Sequence, residues 1–317
     1  MSSKKFFKKK NKKAQFFSIS IILIISLMFV SFELFSFIHE RGVIRTRVST
    51  MDSFLNSIED NLEKQIYIAG FRIIFLAENY IVDTGKYIGE SGNYIGIEDF
   101  FQEAFLNGSV SGVEQYILFS YTDLANSLQK KADKMNLEIS LENPPCLLSV
   151  SQEDSWNVNF SVGFNLIMQD KENLAKWERL QIVSVLIPVT SFQDPLYNVE
   201  TYNKVPRLIE QTPYEGNYVN GGDKTNLISH IDKGYYAENS NAPNFLMRLE
   251  GNLSADPNGI ESFVIRPDLS QQGIPTTEKS CIDYIYFSSN SPTYSSVSGV
   301  YESWFRIDDG HRTKYGV

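Results

Sequence analysis

The chain has 317 residues, enough for one large domain or two smaller ones beside a membrane anchor. Its apolar content of 42% and charged content of 21% exclude a disordered chain, and 22 Phe with 17 Tyr supply material for a core. The net charge of -9 hides an asymmetry: Lys4, Lys5, Lys8, Lys9, Lys10, Lys12 and Lys13 stand in residues 1–13 with no acid, leaving 22 of the 29 basic residues to face 38 acidic ones, a balance of -16. An acidic body argues against nucleic acid as a partner, which needs a basic footprint. The lysine run lies directly before an apolar stretch, where it reads as a topology signal.

That stretch, Phe16 to Ile38, is 23 residues long and carries one formal charge, Glu33. As a helix it would reach ~35 Å, enough to cross a ~30 Å hydrocarbon core. The run Ile19-Ser20-Ile21-Ile22-Leu23-Ile24-Ile25 is apolar on nearly every side, where a soluble helix would show a polar face. Membrane lipid is therefore an expected partner. Seven lysines precede the run and only Arg41, Arg45 and Arg47 follow closely, so the positive-inside rule sets the N-terminus in the cytoplasm and residues 42–317 outside it. A conventional cleaved signal would have an apolar region of ~7–15 residues ending in a small-x-small site; this one is longer and runs into Phe37-Ile38-His39-Glu40-Arg41. Glu33 falls near the outer end, among Phe29, Phe32, Phe35 and Phe37, a pattern of an interfacial aromatic belt.

Lys12-Lys13-Ala14-Gln15-Phe16 resembles the class III signal of archaeal type IV pilins and archaellins. The resemblance covers about residues 4–40. It implies that a prepilin peptidase cuts between Ala14 and Gln15, on the cytoplasmic side of the helix, with Lys12 and Lys13 as basic recognition residues and Gln15 as the new N-terminus. Such a cut removes all seven lysines, so the helix could pack among other pilin-like subunits without burying a charge cluster. Ile19 stands at the fifth position after the cut, where bacterial pilins carry Glu and archaeal relatives usually do not. The body exceeds that of most major pilins, which favours a minor pilin or a pilin-like surface component. An uncleaved signal anchor stays open beside this reading.

Beyond the membrane, Val48, Met51, Leu55, Ile58, Leu62, Ile66, Ala69, Ile73 and Leu76 recur at steps of three or four, with charged and polar residues mostly between them. No Pro occurs before Pro144, so one helix is expected to run from the membrane to about Val82 and to stop at Asp83-Thr84-Gly85. Ile97 to Leu106 and Val113 to Met135 read as two further helices, with Ser109 or Ser111 placed to cap the second. The period then changes to two at Leu137, Ile139 and Leu141, and again at Trp156, Val158, Phe160, Val162 and Phe164. Leu180 to Val189 is expected to be the most buried strand. Further on, Thr225 to Tyr236 and Ala242 to Leu249 read as helices and Ser280 to Phe287 as a strand. The expected fold class is α+β: a long N-terminal helix, transmembrane then amphipathic, packed on an antiparallel β-sheet domain with further helices. The expected organisation is a basic leader at 1–14, a transmembrane helix at 15–40 and an amphipathic helix at 41–82. An extracytoplasmic α+β domain at 83–190 follows, then a second lobe or elaboration at 191–317.

No catalytic signature emerges, and an enzyme is not expected. His39, His230 and His311 are scattered; His39-Glu40 begins like a zincin motif, but Val43 occupies the second histidine position. Gly108-Ser109-Val110-Ser111-Gly112 has Val at the centre where a nucleophile elbow needs Ser. Neither a metal site nor a cofactor is expected. Cys146 and Cys281 are a candidate disulfide or two free thiols. Asn107, Asn159 and Asn252 begin the triplets Asn107-Gly108-Ser109, Asn159-Phe160-Ser161 and Asn252-Leu253-Ser254, which fit the glycosylation sequon. Two functions remain in view: a pilin-like surface component, and an anchored binding module such as an adhesin or solute-binding ectodomain with a pocket between Trp156 and Tyr236.

Overall fold

We describe the fold from a computed structural model. It describes residues 12–90, 92, 94–110 and 120–317, with side chains from Phe16 onward. The fold is α+β, with one long helix lying on a four-stranded antiparallel sheet and shorter helices around both. Helix α1 spans Lys12–Thr84, 73 residues, or ~110 Å at 1.5 Å per residue. It is two helices in one. Its most apolar stretch is wholly uncovered by the rest of the protein, and Phe16, Phe17, Ile22, Phe29, Phe32 and Ile38 are all exposed. From Met51 the expected stripe is buried through Leu55, Ile58, Leu62, Ile66, Ala69, Ile73 and Leu76, and it continues to Tyr80. Val48 departs from the stripe and stays exposed. Just before it, the Arg47 Nε lies 3.5 Å from the buried carboxylate of Asp170, at the end of the sheet.

The helix approaches the sheet most closely at Gly70, where a Cβ would fall 2.9 Å from Phe160 Cδ1 and closer still to Ile187. It ends as the sequence indicates. Gly85 takes φ +66°, a left-handed turn that favours glycine, and its N–H donates to Ile81 O at 2.8 Å. Helices α2 (Ile97–Asn107) and α3 (Tyr121–Asp133) follow. The cap of α3 is Ser120, in a reciprocal capping box with Asp123, and not Ser109. Ser111 and the expected helical turns from Val113 to Phe119 lie outside the described residues.

The sheet is built on β3 (Asn157–Asp170), with β1 (Leu137–Leu141), β2 (Leu147–Asp154) and β4 (Lys176–Pro188) around it. On one side β3 pairs with β2 along its first half and β1 along its second. On the other it pairs with β4 without a bulge, from Asn157↔Pro188 to Gln169↔Lys176. The most buried strand is thus β3 and not β4. Val158, Phe160, Val162, Phe164, Leu166 and Met168 fill the core beneath α1. Strand β4 lies at the edge and alternates, with Val183, Val185 and Ile187 inward and Leu180, Ile182 and Leu186 outward, about half exposed.

After the sheet come α4 (Pro195–Glu200), α5 (Thr225–Lys233), β5 (Ala237–Glu238), α6 (Phe245–Leu249), β6 (Ile260–Glu261), α7 (Arg266–Gln271), α8 (Asp283–Tyr286), β7 (Tyr294–Ser296), β8 (Arg306–Asp308) and α9 (Asp309–Tyr315). Phe192, Ile209, Tyr236, Phe245 and Leu249 join the main core, while Leu227, Phe263, Cys281, Phe305 and Ile307 form a second one. The strand expected at Ser280–Phe287 is a correction. Cys281 bonds outward in both directions, to Arg306 O and from Val264 N, and the chain then turns into α8 so that Asp283 points into the core.

Candidate functional site

The feature with the clearest functional meaning is the first half of α1. Its window of highest mean hydropathy reaches 2.5 and none of it is buried in the body, so it is a candidate membrane span by length and composition. A soluble core helix of this composition would be covered by its own protein. At the C-terminal end of that stretch the guanidinium of Arg41 sits over the Phe37 ring at 4.1 Å, and Phe35 stacks on His39. Lys12, Lys13, Ala14 and Gln15 open the helix, so a cut after Ala14 would fall within its first turn.

Two polar clusters are buried in the C-terminal part. In one, Arg248 is fully buried, with Nη1 2.6 Å from Asp194 Oδ2 and 3.0 Å from Asp283 Oδ2. Tyr236 Oη donates to Asp194 at 2.7 Å, while the Ser262 amide and hydroxyl donate to Asp283. Burial disfavours the Arg248 charge, but the two aspartates outweigh it and hold its pKa above the ordinary value. The cluster ties the cap of α4 to α6 and α8. In the other, His311 lies between carboxylates, with Nδ1 2.7 Å from Asp308 Oδ1 and Nε2 3.0 Å from Glu261 Oε2. Lys314 and Tyr315 also bond to Glu261, at 2.7 and 2.8 Å. Burial alone would lower the His311 pKa, but the hydrogen bonds it donates to Asp308 and Glu261 hold it up to about 9. Burial would raise Glu261, yet His311 and Lys314 bring it down to about 2. Both imidazole nitrogens are occupied, so the cluster is a clamp on α9 rather than an acid–base pair awaiting a substrate.

Elsewhere His230 is buried beside Thr212, and burial pushes it down to about 3, a neutral imidazole in an aromatic cage. Among the described residues no three His, Cys, Asp or Glu side chains gather into a group that could hold a metal ion. Cys146 and Cys281 are free thiols in this structure, the second of the two alternatives. Cys146 is exposed and donates to Gly163 O beside β2, whereas Cys281 is sealed in the second core against Trp304 O and Arg306 N. Burial pushes the Cys281 thiol up to about 11.

The sequons differ in placement. Asn107 is exposed at the end of α2, and Asn252 is exposed in a turn where it accepts from the Ser254 amide. Asn159 lies in the middle strand of the sheet, paired on both sides with Ser151 and Leu186.

Sequence reasoning missed one surface. Tyr67, Ile68, Phe71 and Phe75 form an exposed apolar stripe on α1 beside the free edge of β4. Between them lies an open groove of about 700 Å³, lined by Glu63, Lys64, Tyr67, Ile68, Ser184, Val185 and Leu186. No family model, no curated protein and no solved structure matches this chain. The geometry of α1 and the sheet therefore carries the functional reading. The long apolar helix packed on an antiparallel sheet is a pilin-like architecture.

Proposed function

We propose that the protein is a membrane-anchored, pilin-like component of the cell surface, a minor pilin or a related surface protein. Its N-terminus lies in the cytoplasm and its body outside. The observation that supports this reading most is the division of α1. One continuous helix has a first half with no cover of its own and a second half buried under a sheet. An apolar helix left bare by its own protein needs lipid or other apolar helices around it. Prepilin peptidase would cut after Ala14, recognise Lys12 and Lys13, and leave Gln15 as the first residue. Membrane lipid surrounds the helix before assembly and other pilin-like subunits surround it afterwards. Glu33 then stands near the outer end of the apolar segment, where it could pair with a basic group of a neighbour. Asn107 and Asn252 are exposed sites open to glycosylation.

N-terminal sequencing of the mature protein, combined with protease treatment of intact cells, tests the reading. A chain beginning at Gln15 with its body digested from outside is expected. A mature chain beginning at Met1 or Lys4 would remove the pilin assignment and leave an anchored binding module. That second reading is favoured by the open groove between α1 and β4, three of whose lining residues come from β4 itself.

A further inference from the structure

Among the described residues, β4 pairs only with β3, so one edge of a 13-residue strand is open. Unpaired edges attract other strands, and proteins guard them with charges, prolines, bulges or a covering element. Here the guards stand only at the ends. Lys176, Glu178 and Arg179 occupy the start, with Arg179 bridged to Glu59 of α1, and Pro188 closes the strand. The eight residues Leu180–Ile187 between them carry no charge, proline or bulge. Helix α1 packs on the inward face of β4 and flanks its edge across an open groove. An unguarded edge flanked by an exposed apolar shelf is built to receive an extended strand.

We infer that the free edge of β4 pairs antiparallel with β4 of a second copy of this chain. Identical edges close on each other around a two-fold axis when the strands run in opposite directions. With Ser184 on the axis, Ile182 stands opposite Leu186 of the second copy and Val183 opposite Val185, each pair occurring twice. Lys176, Glu178 and Arg179 then project past Pro188 and meet no charge. With Ile182 on the axis instead, Glu178 would face Leu186, so charge disfavours that register against the one centred on Ser184, which pairs more of the uncharged stretch than registers centred nearer Pro188. The two four-stranded sheets become one continuous sheet.

The direction of α1 sets the meaning of this contact, and here the inference rests on the anchored reading above. Glu59 lies by Arg179 and Gly70 lies by Ile187, so α1 and β4 run in the same sense. Antiparallel β4 strands therefore send the two apolar helices in opposite directions. Two such copies cannot stand in one membrane; they join molecules on facing surfaces. A strand-edge contact of this size falls at the low end of interfaces, below ~1,200 Å², so each pair is weak and an array of copies makes the adhesion firm.

The full chain in detergent, carrying Cys146→Ser with Ser184→Cys, tests the pairing by mild oxidation. A disulfide-linked dimer is expected. Adding Leu186→Lys, an exposed position, is expected to cut dimer yield about tenfold, equivalent to ~1.4 kcal/mol. Ser151→Cys, exposed on β2, should give no dimer. No dimer from Ser184→Cys, an equal yield from Ser151→Cys, or indifference to Leu186→Lys would overturn the inference. The same full chain is then placed in vesicles of phosphatidylglycerol and phosphatidylcholine. Clustering of the vesicles that is lost with Leu186→Lys is expected, and absence of clustering would overturn the facing-surface contact. Failure of the protein to stay with the vesicles would instead overturn the anchored reading, whatever the cross-linking shows.

Discussion

The clamp on α9 makes stability depend on pH in a definite direction. His311 titrates at about 9 in the folded protein against an ordinary 6.5. Its pKa is raised, so its contribution is complete below pH 6.5 and is lost as pH rises through 9. A displacement of that size is worth ~3 kcal/mol, at ~1.4 kcal/mol per pH unit. Other groups also lose stability with rising pH, because burial raises the carboxyls of Glu78, Glu200 and Asp283, the Cys281 thiol and several tyrosines. Burial pushes Glu78 up to about 8 from 4.5, so most of its loss falls between pH 4.5 and 8 and a tail extends past 8. Cys281 begins its loss only above 9. His311 itself should account for ~1 kcal/mol of the stability lost between pH 8 and 9, which the His311→Gln comparison isolates. Chemical denaturation followed by tryptophan fluorescence at pH 6, 8 and 9 measures this, since Trp156, Trp177 and Trp304 all lie in the body. His311→Gln should be less stable than the parent at pH 6 and level with it by pH 9.5. A parent profile that is flat from pH 6 to 9, or a variant that keeps the parent's slope between 8 and 9, would refute the clamp.

Three further substitutions probe the framework. Glu78→Gln should raise stability at pH 8 by ~2 kcal/mol, because it removes a buried carboxyl with an unpartnered oxygen, and should change little at pH 4.5. Arg248→Met leaves Asp194 and Asp283 buried without their cation and should cost ~3–5 kcal/mol, read as a lowered denaturation midpoint. Gly70→Val forces a side chain between α1 and the Phe160 ring and should cost ~1–3 kcal/mol by the same measurement.

The sequence made α1 legible because two independent signals overlap along it. An unbroken apolar run is followed by a stripe at steps of three and four, and Gly85 supplies the stop. β3 was legible from its alternation. β2 escaped notice because Val150 is its single fully buried residue, so Leu147–Asp154 shows no repeating apolar face. The apolar run of β4 reads as deep burial, yet the strand lies at an edge and exposes Leu180, Ile182 and Leu186. Sequence hydrophobicity cannot separate a face turned to the core from one awaiting a partner. Within Ser280–Phe287, read as a strand, the buried bond of Asp283 to Arg248 is a long-range pairing with no local signature. The His311 clamp likewise draws Glu261, Asp308 and Lys314 from distant or ordinary-looking segments. For the first half of α1, composition alone carried the signal.

Partitioning of the intact chain after cell lysis, under alkaline extraction without detergent, tests the membrane role of α1 most directly. The full chain should remain with the lipid pellet, and a variant lacking residues 1–40 should move to the supernatant as a folded species. Recovery of the intact chain, Phe16–Ile38 included, as a soluble monodisperse protein would contradict that role.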